Sequence, residues 1–190
     1  MRKMQSIEES AALGQSSEES AALGQSIEES TVLGQEQRIV LSPLTKEDIP
    51  EVWRIERENY SLPWSERAFC EALEREYYCF LKATDGERIA GYCGYQRSFE
   101  TADITNVTVR QECRRMGIGR RMLKALMENG FRQGVERFTL EVRASNEAAL
   151  SLYQSLGFRQ EGVRKGYYEF PKEDAVILWT PAGMRSAVIG

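Results

Sequence analysis

Apolar positions along this chain switch between a period of two and a helical period, and the sharpest switch lies between Asn106 and Met127. Asn106-Val107-Thr108-Val109 is rich in β-branched residues, Arg110 to Gly119 is polar with two glycines, and Met122, Leu123, Leu126 and Met127 then recur at helical spacing. The pattern predicts strand, loop and helix. Where the loop ends and the helix begins, unpaired backbone N–H groups and the positive end of the helix dipole face one small region. Such a region is expected to bind an anion, phosphate above all; a tight turn with a solvated basic helix start is the plainer reading of the loop taken alone. Arg114, Arg115, Arg120, Arg121 and Lys124 surround it with mobile positive charge. The spacing excludes two common phosphate loops. A P-loop needs Gly-Lys-Ser/Thr where Gly119 is followed by Arg120, and a dinucleotide fingerprint needs a third glycine where Met122 stands.

The same reading predicts the remaining elements. A first strand is expected over 38–44, and Thr45 is expected to cap a helix whose Ile49, Val52, Trp53 and Tyr60 share a face. Ser61-Leu62-Pro63-Trp64-Ser65 interrupts it, and Ser65 opens a second helix to about Arg75. Strands over 78–84 and 88–99 make a hairpin about Asp85-Gly86, with Cys79 and Cys93 on neighbouring strands as two packed thiols. Residues 101–109 complete an antiparallel run. After a helix over 119–133, residues 137–143 alternate, with Phe138, Leu140 and Val142 on one face and Thr139, Glu141 and Arg143 on the other. Ser145 and Asn146 cap a helix over 147–156, closed by Gly157, and strands over 158–168 and 175–179 follow. Strands, a βαβ crossover and a final hairpin imply an α/β (α+β) fold, a mixed central sheet with helices on both faces.

Composition changes the picture at the amino end. Residues 6–35 are three tandem decapeptides close to Ser-x-Glu-Glu-Ser-x-x-Leu-Gly-Gln, each with a capping box and a glycine stop. Helices of two turns are marginal in water, and ten residues is shorter than the solenoid repeat of about 20 or more. The expected division is an acidic appendage, flexible or weakly helical, over 1–35 and a folded domain over 36–185; a docking or self-association role for the repeats stays open. The appendage carries six glutamates against Arg2 and Lys3, while the rest holds 23 acidic and 23 basic residues. A neutral domain argues against a dedicated nucleic-acid partner. No apolar run reaches membrane-spanning length, so the expectation is a soluble cytoplasmic protein with no membrane partner. There is no histidine, which removes histidine-assisted nucleophiles and His-ligated zinc. Cys70, Cys79, Cys93 and Cys113 have no metal-type spacing, so no metal is expected.

Arg-x-x-Gly-x-Gly after a Val-Thr-Val strand resembles motif A of the GNAT superfamily, the Gcn5-related N-acetyltransferases. The segment Leu140-Glu141-Val142-Arg143-Ala144-Ser145-Asn146, followed by Leu152-Tyr153 and Gly157-Phe158, resembles the RimI branch of that family, the ribosomal-protein alanine N-acetyltransferases. Pro63-Trp64-Ser65, Arg164 with Tyr167-Tyr168, and Glu173-Asp174-Ala175 extend the similarity over about 38–179. Several positions depart from the pattern, the short segment Glu169-Phe170-Pro171-Lys172 among them. Arg110-Gln111 stands where Asp-Pro is common, with Cys113 for the loop aromatic, and Gly166 stands where a larger polar residue is usual.

The resemblance implies acetyl-coenzyme A as co-substrate. The strand backbone at Val107, Thr108 and Val109 would meet the pantetheine and acetyl group, and Arg114, Arg115, Met116, Gly117, Ile118, Gly119 and Arg120 would wrap the pyrophosphate. It also implies Glu141 as general base, Tyr153 as the acid that protonates the departing thiolate, and Asn146 as a pantetheine contact. Each has a plainer reading: Glu141 a polar-face residue paired with Arg143, Tyr153 a core aromatic in stripe with Leu150 and Leu156, Asn146 a helix cap. The expected reaction is acetyl transfer to a protein N-terminus, with an alanine-starting small-subunit ribosomal protein as the implied partner. A GNAT enzyme acting on another small amine or a lysine is the first alternative, and a non-catalytic acyl-coenzyme A binding module the second.

Overall fold

A computed structural model describes residues 39–86 and 88–184. The decapeptide repeats and the appendage expected over 1–35 lie outside the described residues. In chain order the elements are β1 (Ile39–Pro43), α1 (Ile49–Asn59), α2 (Glu66–Leu73), β2 (Tyr78–Asp85), β3 (Arg88–Ser98) and β4 (Thr101–Val109), then α3 (Ile118–Arg132), β5 (Arg137–Arg143), α4 (Glu147–Ser155), β6 (Arg159–Glu169) and β7 (Lys172–Trp179). The seven strands form one sheet in the order β1-β2-β3-β4-β5-β7-β6. All neighbours are antiparallel except β4 and β5, which α3 joins as a parallel crossover.

The two faces of the sheet carry separate clusters. Leu123, Leu126, Phe131 and Phe138 are fully buried on the α3 side, with Ala102, Ile104 and Leu140 beneath them. Val52, Ile55 and Phe69 of α1 and α2 cover Phe80, Ile89 and Tyr92 on the other. Each helix turns its apolar stripe to the sheet, so burial of that stripe decides which side of the helix packs inward.

Two strand irregularities shape the site. The β3–β4 register steps from Gly94↔Asn106 to Tyr95↔Ile104, which leaves Thr105 as an extra residue on β4. Before this bulge Ala102 and Ile104 face α3; beyond it Val107 and Val109 pack against that cluster, so Asn106 and Thr108 turn toward α1. In β6, the register jumps from Arg164↔Ala175 to Tyr168↔Glu173, and residues 165–167 bulge outward.

The expected helix face at the amino end needs correction. The chain enters α1 through a 3-10 turn, Lys46–Asp48, with Thr45 N–H donating to Asp48 Oδ2 at 2.8 Å. The buried residues of α1 are Ile49, Val52, Ile55 and Glu56. Tyr60 lies past the helix end in extended backbone and is 38% exposed, because the turn made by Ser61 and Pro63 ends the helical period one residue earlier. Trp53 is half-buried beneath the Arg57 guanidinium. Cys79 and Cys93 are free thiols, and burial pushes Cys79 up to about 11 and Cys93 well above its ordinary value.

Close approach of α3 to the sheet depends on Gly130, where an added Cβ would meet Phe138 Cζ at 2.5 Å. Gly130→Ala is therefore expected to destabilise by about 1–3 kcal/mol through overpacking, despite alanine's advantage of about 1 kcal/mol in helix propensity. Urea unfolding checks this; a gain in stability would show that the interface has room to spare.

Candidate active site

The site lies where β4 and β5 part. They pair at Thr101↔Arg137, Ala102↔Phe138 and Asp103↔Thr139 and no further. On β4, Arg110 N–H donates to Ala90 O at 2.9 Å, so alternate residues from Arg110 back turn their backbone groups toward β3. Val107 and Val109 accordingly turn theirs toward the gap. Their carbonyls accept from side chains there, Val107 O from Tyr60 Oη–H at 3.2 Å and Val109 O from Arg114 Nε–H at 3.3 Å. Thr108 differs from its two neighbours. Its backbone faces β3, and its buried hydroxyl donates to Tyr60 Oη at 3.1 Å.

The loop after β4 makes a 3-10 turn at Gln111–Cys113 and then takes left-handed backbone at Arg115 (φ 66°) and Gly117 (φ 75°). Gly117 is the N-cap of α3, with open space where a side chain would begin. Among the described residues this N-cap makes no side-chain hydrogen bond, and the first turn of α3 holds no acidic residue. The first amides of the helix have no intrahelical acceptor, so those of Ile118, Gly119 and Arg120 can meet an anion. Ile118 offers its amide alone, since its side chain is buried in the core. Gly119 lies against Leu152 and Val109, which lets α3 start close to α4.

The basic side chains divide in two. Arg115 is exposed, as is Met116. Arg114 also donates to Asn59 Oδ1, and Arg120 donates to Ser155 Oγ at 2.6 Å. Arg110, where an acidic residue is common, instead binds inward, to Ile89 O at 2.6 Å and Glu51 at 2.7 Å. Cys113 is buried, and burial raises its thiol.

Glu141 is on the α1 side of β5, half-buried, and pairs with Arg164 of β6 at 3.2 Å. Pairing with Arg143, the plainer reading of Glu141, is not what the structure shows. Arg143 reaches Glu173 at 3.1 Å and the carbonyls of Phe170 and Pro171 at 2.9 and 3.2 Å. The β6–β7 end, not β5 itself, supplies its partners. Arg164 is the last residue of β6 in register with β7 before the jump, and the bulge that follows carries Tyr167. Asp174 accepts from Lys165 Nζ at 2.7 Å and Gly166 N–H at 2.8 Å, which lowers its carboxyl. Gly166 has φ 58°, a conformation glycine adopts without strain. Past the bulge Arg164 stacks on Tyr167, whose phenol is raised by burial first and by Glu141 next. Tyr168 Oη–H donates to Glu141 O at 3.3 Å.

Tyr153 projects from α4 into the same region. Its ring is buried edge-to-face on Phe158, and among the described residues its hydroxyl has no hydrogen-bond partner. Burial raises its phenol far above the ordinary value, with the nearby Tyr60 and Tyr168 phenols adding to the shift. A raised phenol keeps its proton across the neutral range, as a proton donor must. Asn146 is exposed and caps α4, its Oδ1 accepting from Ala149 N–H at 3.1 Å. The structure thus brings Val107, Val109, Glu141 and Tyr153 to one gap, groups the loop residues at the α3 end, and leaves Asn146 on the rim of α4.

Two further groups are evident only in the structure. Tyr60 has no sequence signal, since its role depends on where the chain turns. Glu56 has one, a lone carboxylate within the apolar stripe of Val52 and Ile55. It is fully buried and accepts from Trp64 N–H at 3.1 Å, Asn106 Nδ2–H at 3.3 Å and Tyr92 Oη–H. It ties the loop after α1 to β3 and β4.

Comparison with known proteins accords with this geometry. The model of the acetyltransferase (GNAT) family matches residues 41–158. A ribosomal protein bS18-alanine N-acetyltransferase of Salmonella typhimurium is 38% identical over 146 residues, covering 76% of this chain and 98% of that protein. A putative enzyme of the same name from Bacillus subtilis is 36% identical over 134 residues, covering 70% and 89%. The crystal structure of the ribosomal-protein-S18-alanine N-acetyltransferase from Escherichia coli superposes with a TM-score of 0.71 at 34% identity, over 77% of this chain and 95% of that one. The chain belongs to the GNAT family of acetyltransferases, whose co-substrate is acetyl-coenzyme A.

Coenzyme A is therefore expected to stabilise the fold in a dose-dependent way, by about 2.7 kcal/mol at 100 times its Kd, which a rise in unfolding temperature checks. Gly117→Ala, forced into left-handed backbone at about 1–2 kcal/mol, should weaken coenzyme A about tenfold in calorimetry. Unchanged affinity would mean that the loop does not hold the pyrophosphate in this conformation.

Proposed function

We propose that this GNAT enzyme transfers the acetyl group of acetyl-coenzyme A to the α-amino group of a protein N-terminus, with an alanine-starting ribosomal protein, the bS18 type, as acceptor. The observation that carries the reading is the gap between β4 and β5, with free backbone on one side and Glu141 and Tyr153 on the other. The bS18 acceptor named for the Salmonella and Escherichia relatives supports the choice of substrate. Such acceptors and acetyl-coenzyme A meet in the cytoplasm, where we place the reaction. Among the described residues no helix is long and apolar enough to cross a membrane.

Acetyl-coenzyme A supplies the acetyl group as a thioester. The amides of Val107 and Val109 hold the pantetheine arm along β4, and an amide near Val109 polarises the acetyl carbonyl. The first turn of α3, with Arg115 and Arg120, holds the pyrophosphate. Asn146 adds a contact at the start of α4. A peptide α-amino group has a pKa of about 8, so near neutrality a modest base suffices. Glu141 accepts the ammonium proton, directly or through water, and passes it to solvent, so that it can take the second proton that the nitrogen loses as the amide forms. The new N–C bond forms, the C–S bond breaks, and Tyr153 gives its proton to the departing sulfur. Arg164 and Tyr167 hold Glu141 in place from β6.

Acetylation of a peptide beginning with alanine, followed by mass spectrometry and thiol release, tests the reading. Product confined to lysine side chains or small amines would favour a different GNAT acceptor, and coenzyme A binding with no product would leave a binding module. Tyr153→Phe is expected to lower kcat by about 10²-fold, the usual contribution of a general acid, with little change in coenzyme A affinity. An unchanged rate would remove Tyr153 from that role. We also assign the activity to 36–185 alone, as the family match over 41–158 supports. A chain lacking residues 1–35 is expected to retain full kcat/KM; a large loss would assign the repeats a part in the reaction.

A further inference from the structure

Asn106 combines burial with an incomplete hydrogen-bond set. It is 4% exposed, yet its Oδ1 has no hydrogen-bond partner among the described residues. Its orientation is set by chemistry, because Glu56 can only accept and therefore takes the amide N–H₂, at 3.3 Å. The carbonyl oxygen is thereby turned away from Glu56. A buried acceptor without a donor is destabilising, and such groups in native proteins call for an explanation.

Position supplies one. The bulge at Thr105 switches β4 so that Asn106, not Thr105, faces the α1 side beyond the last β4–β5 pair. Glu141 lies on that same side of β5. Next along β4, Val107 turns its backbone to the gap, with Tyr60 reaching over from the end of α1. Asn106 and Glu141 thus lie on the one side, that of α1, from which an amine would approach a thioester held along β4.

We propose that Asn106 Oδ1 accepts a hydrogen bond from the incoming amino group and, with Glu141, fixes the direction from which the nitrogen lone pair meets the acetyl carbon. The proposal rests on the amine-acetylation reading above. Of the two hydrogens left on a neutral primary amine, one binds Asn106 and the other leaves to the base as the N–C bond forms. No bond to Asn106 is made or broken. The Glu56 carboxylate acts behind it as a positioning group, holding the amide in the useful orientation.

The test compares peptides beginning with alanine and with N-methylalanine, which has one N–H fewer. Wild-type protein is expected to prefer the primary amine about tenfold or more in kcat/KM. Asn106→Leu should raise the KM for the alanine peptide about tenfold, leave coenzyme A affinity unchanged and erase most of that preference. If the variant keeps the wild-type preference, or loses coenzyme A affinity in parallel with activity, the proposal is overturned. Because a substitution at a buried site can also disturb folding, the wild-type protein gives an independent readout. With a non-transferable thioether analogue of acetyl-coenzyme A bound, adding the alanine peptide should shift the Asn106 side-chain carbonyl ¹³C resonance downfield, and no shift would overturn the proposal. Wild-type turnover on the alanine peptide separates this outcome from failure of the underlying reading.

Discussion

β4 and β5 share three residue pairs and then separate, and that separation is the constraint on which the site depends. A strand edge turned inward without a partner leaves polar backbone groups that must be satisfied. Here Tyr60 and Arg114 reach the carbonyls of Val107 and Val109. The bulge at Thr105 contributes twice. It adds local twist to β4 just beyond its last pair with β5, and it reverses which side chains face α1.

The gap also separates two kinds of electrostatics. At its α3 end are helix amides, left-handed loop backbone and arginines, with no acidic residue in the first turn. On the α1 side are Glu141, Asn106 and the phenols of Tyr167 and Tyr168, with Tyr153 buried between the two. On the proposed reading, an anionic carrier and a cationic or neutral amine would be drawn to opposite sides of one opening. The β6 bulge, pinned by Asp174 through Lys165 and Gly166, belongs to the same arrangement because it carries Tyr167, on which Arg164 stacks beside Glu141.

Much of this is legible in the amino-acid sequence. The periods of apolar residues mark β4, α3 and β5 to within a residue, because each is amphipathic and buries one face. The family motif locates the loop and nominates Glu141 and Tyr153. Three things are not legible. Tyr60 leaves the helix because of the turn after it, a tertiary outcome. The partner of Glu141 is Arg164 and not Arg143, because Glu173 and the carbonyls of Phe170 and Pro171 hold Arg143. The facing of Asn106 depends on a one-residue bulge, and alternation alone assigns such a residue to the wrong side.

Hydrogen exchange of individual β4 amides, with and without coenzyme A, probes the gap most directly. Val107 and Val109, whose backbone groups face it, are expected to gain protection together with the amides of Ile118, Gly119 and Arg120, while Thr108, already directed at β3, changes little. Equal protection along the whole strand, or none at Val107 and Val109, would contradict a pantetheine arm lying between β4 and β5.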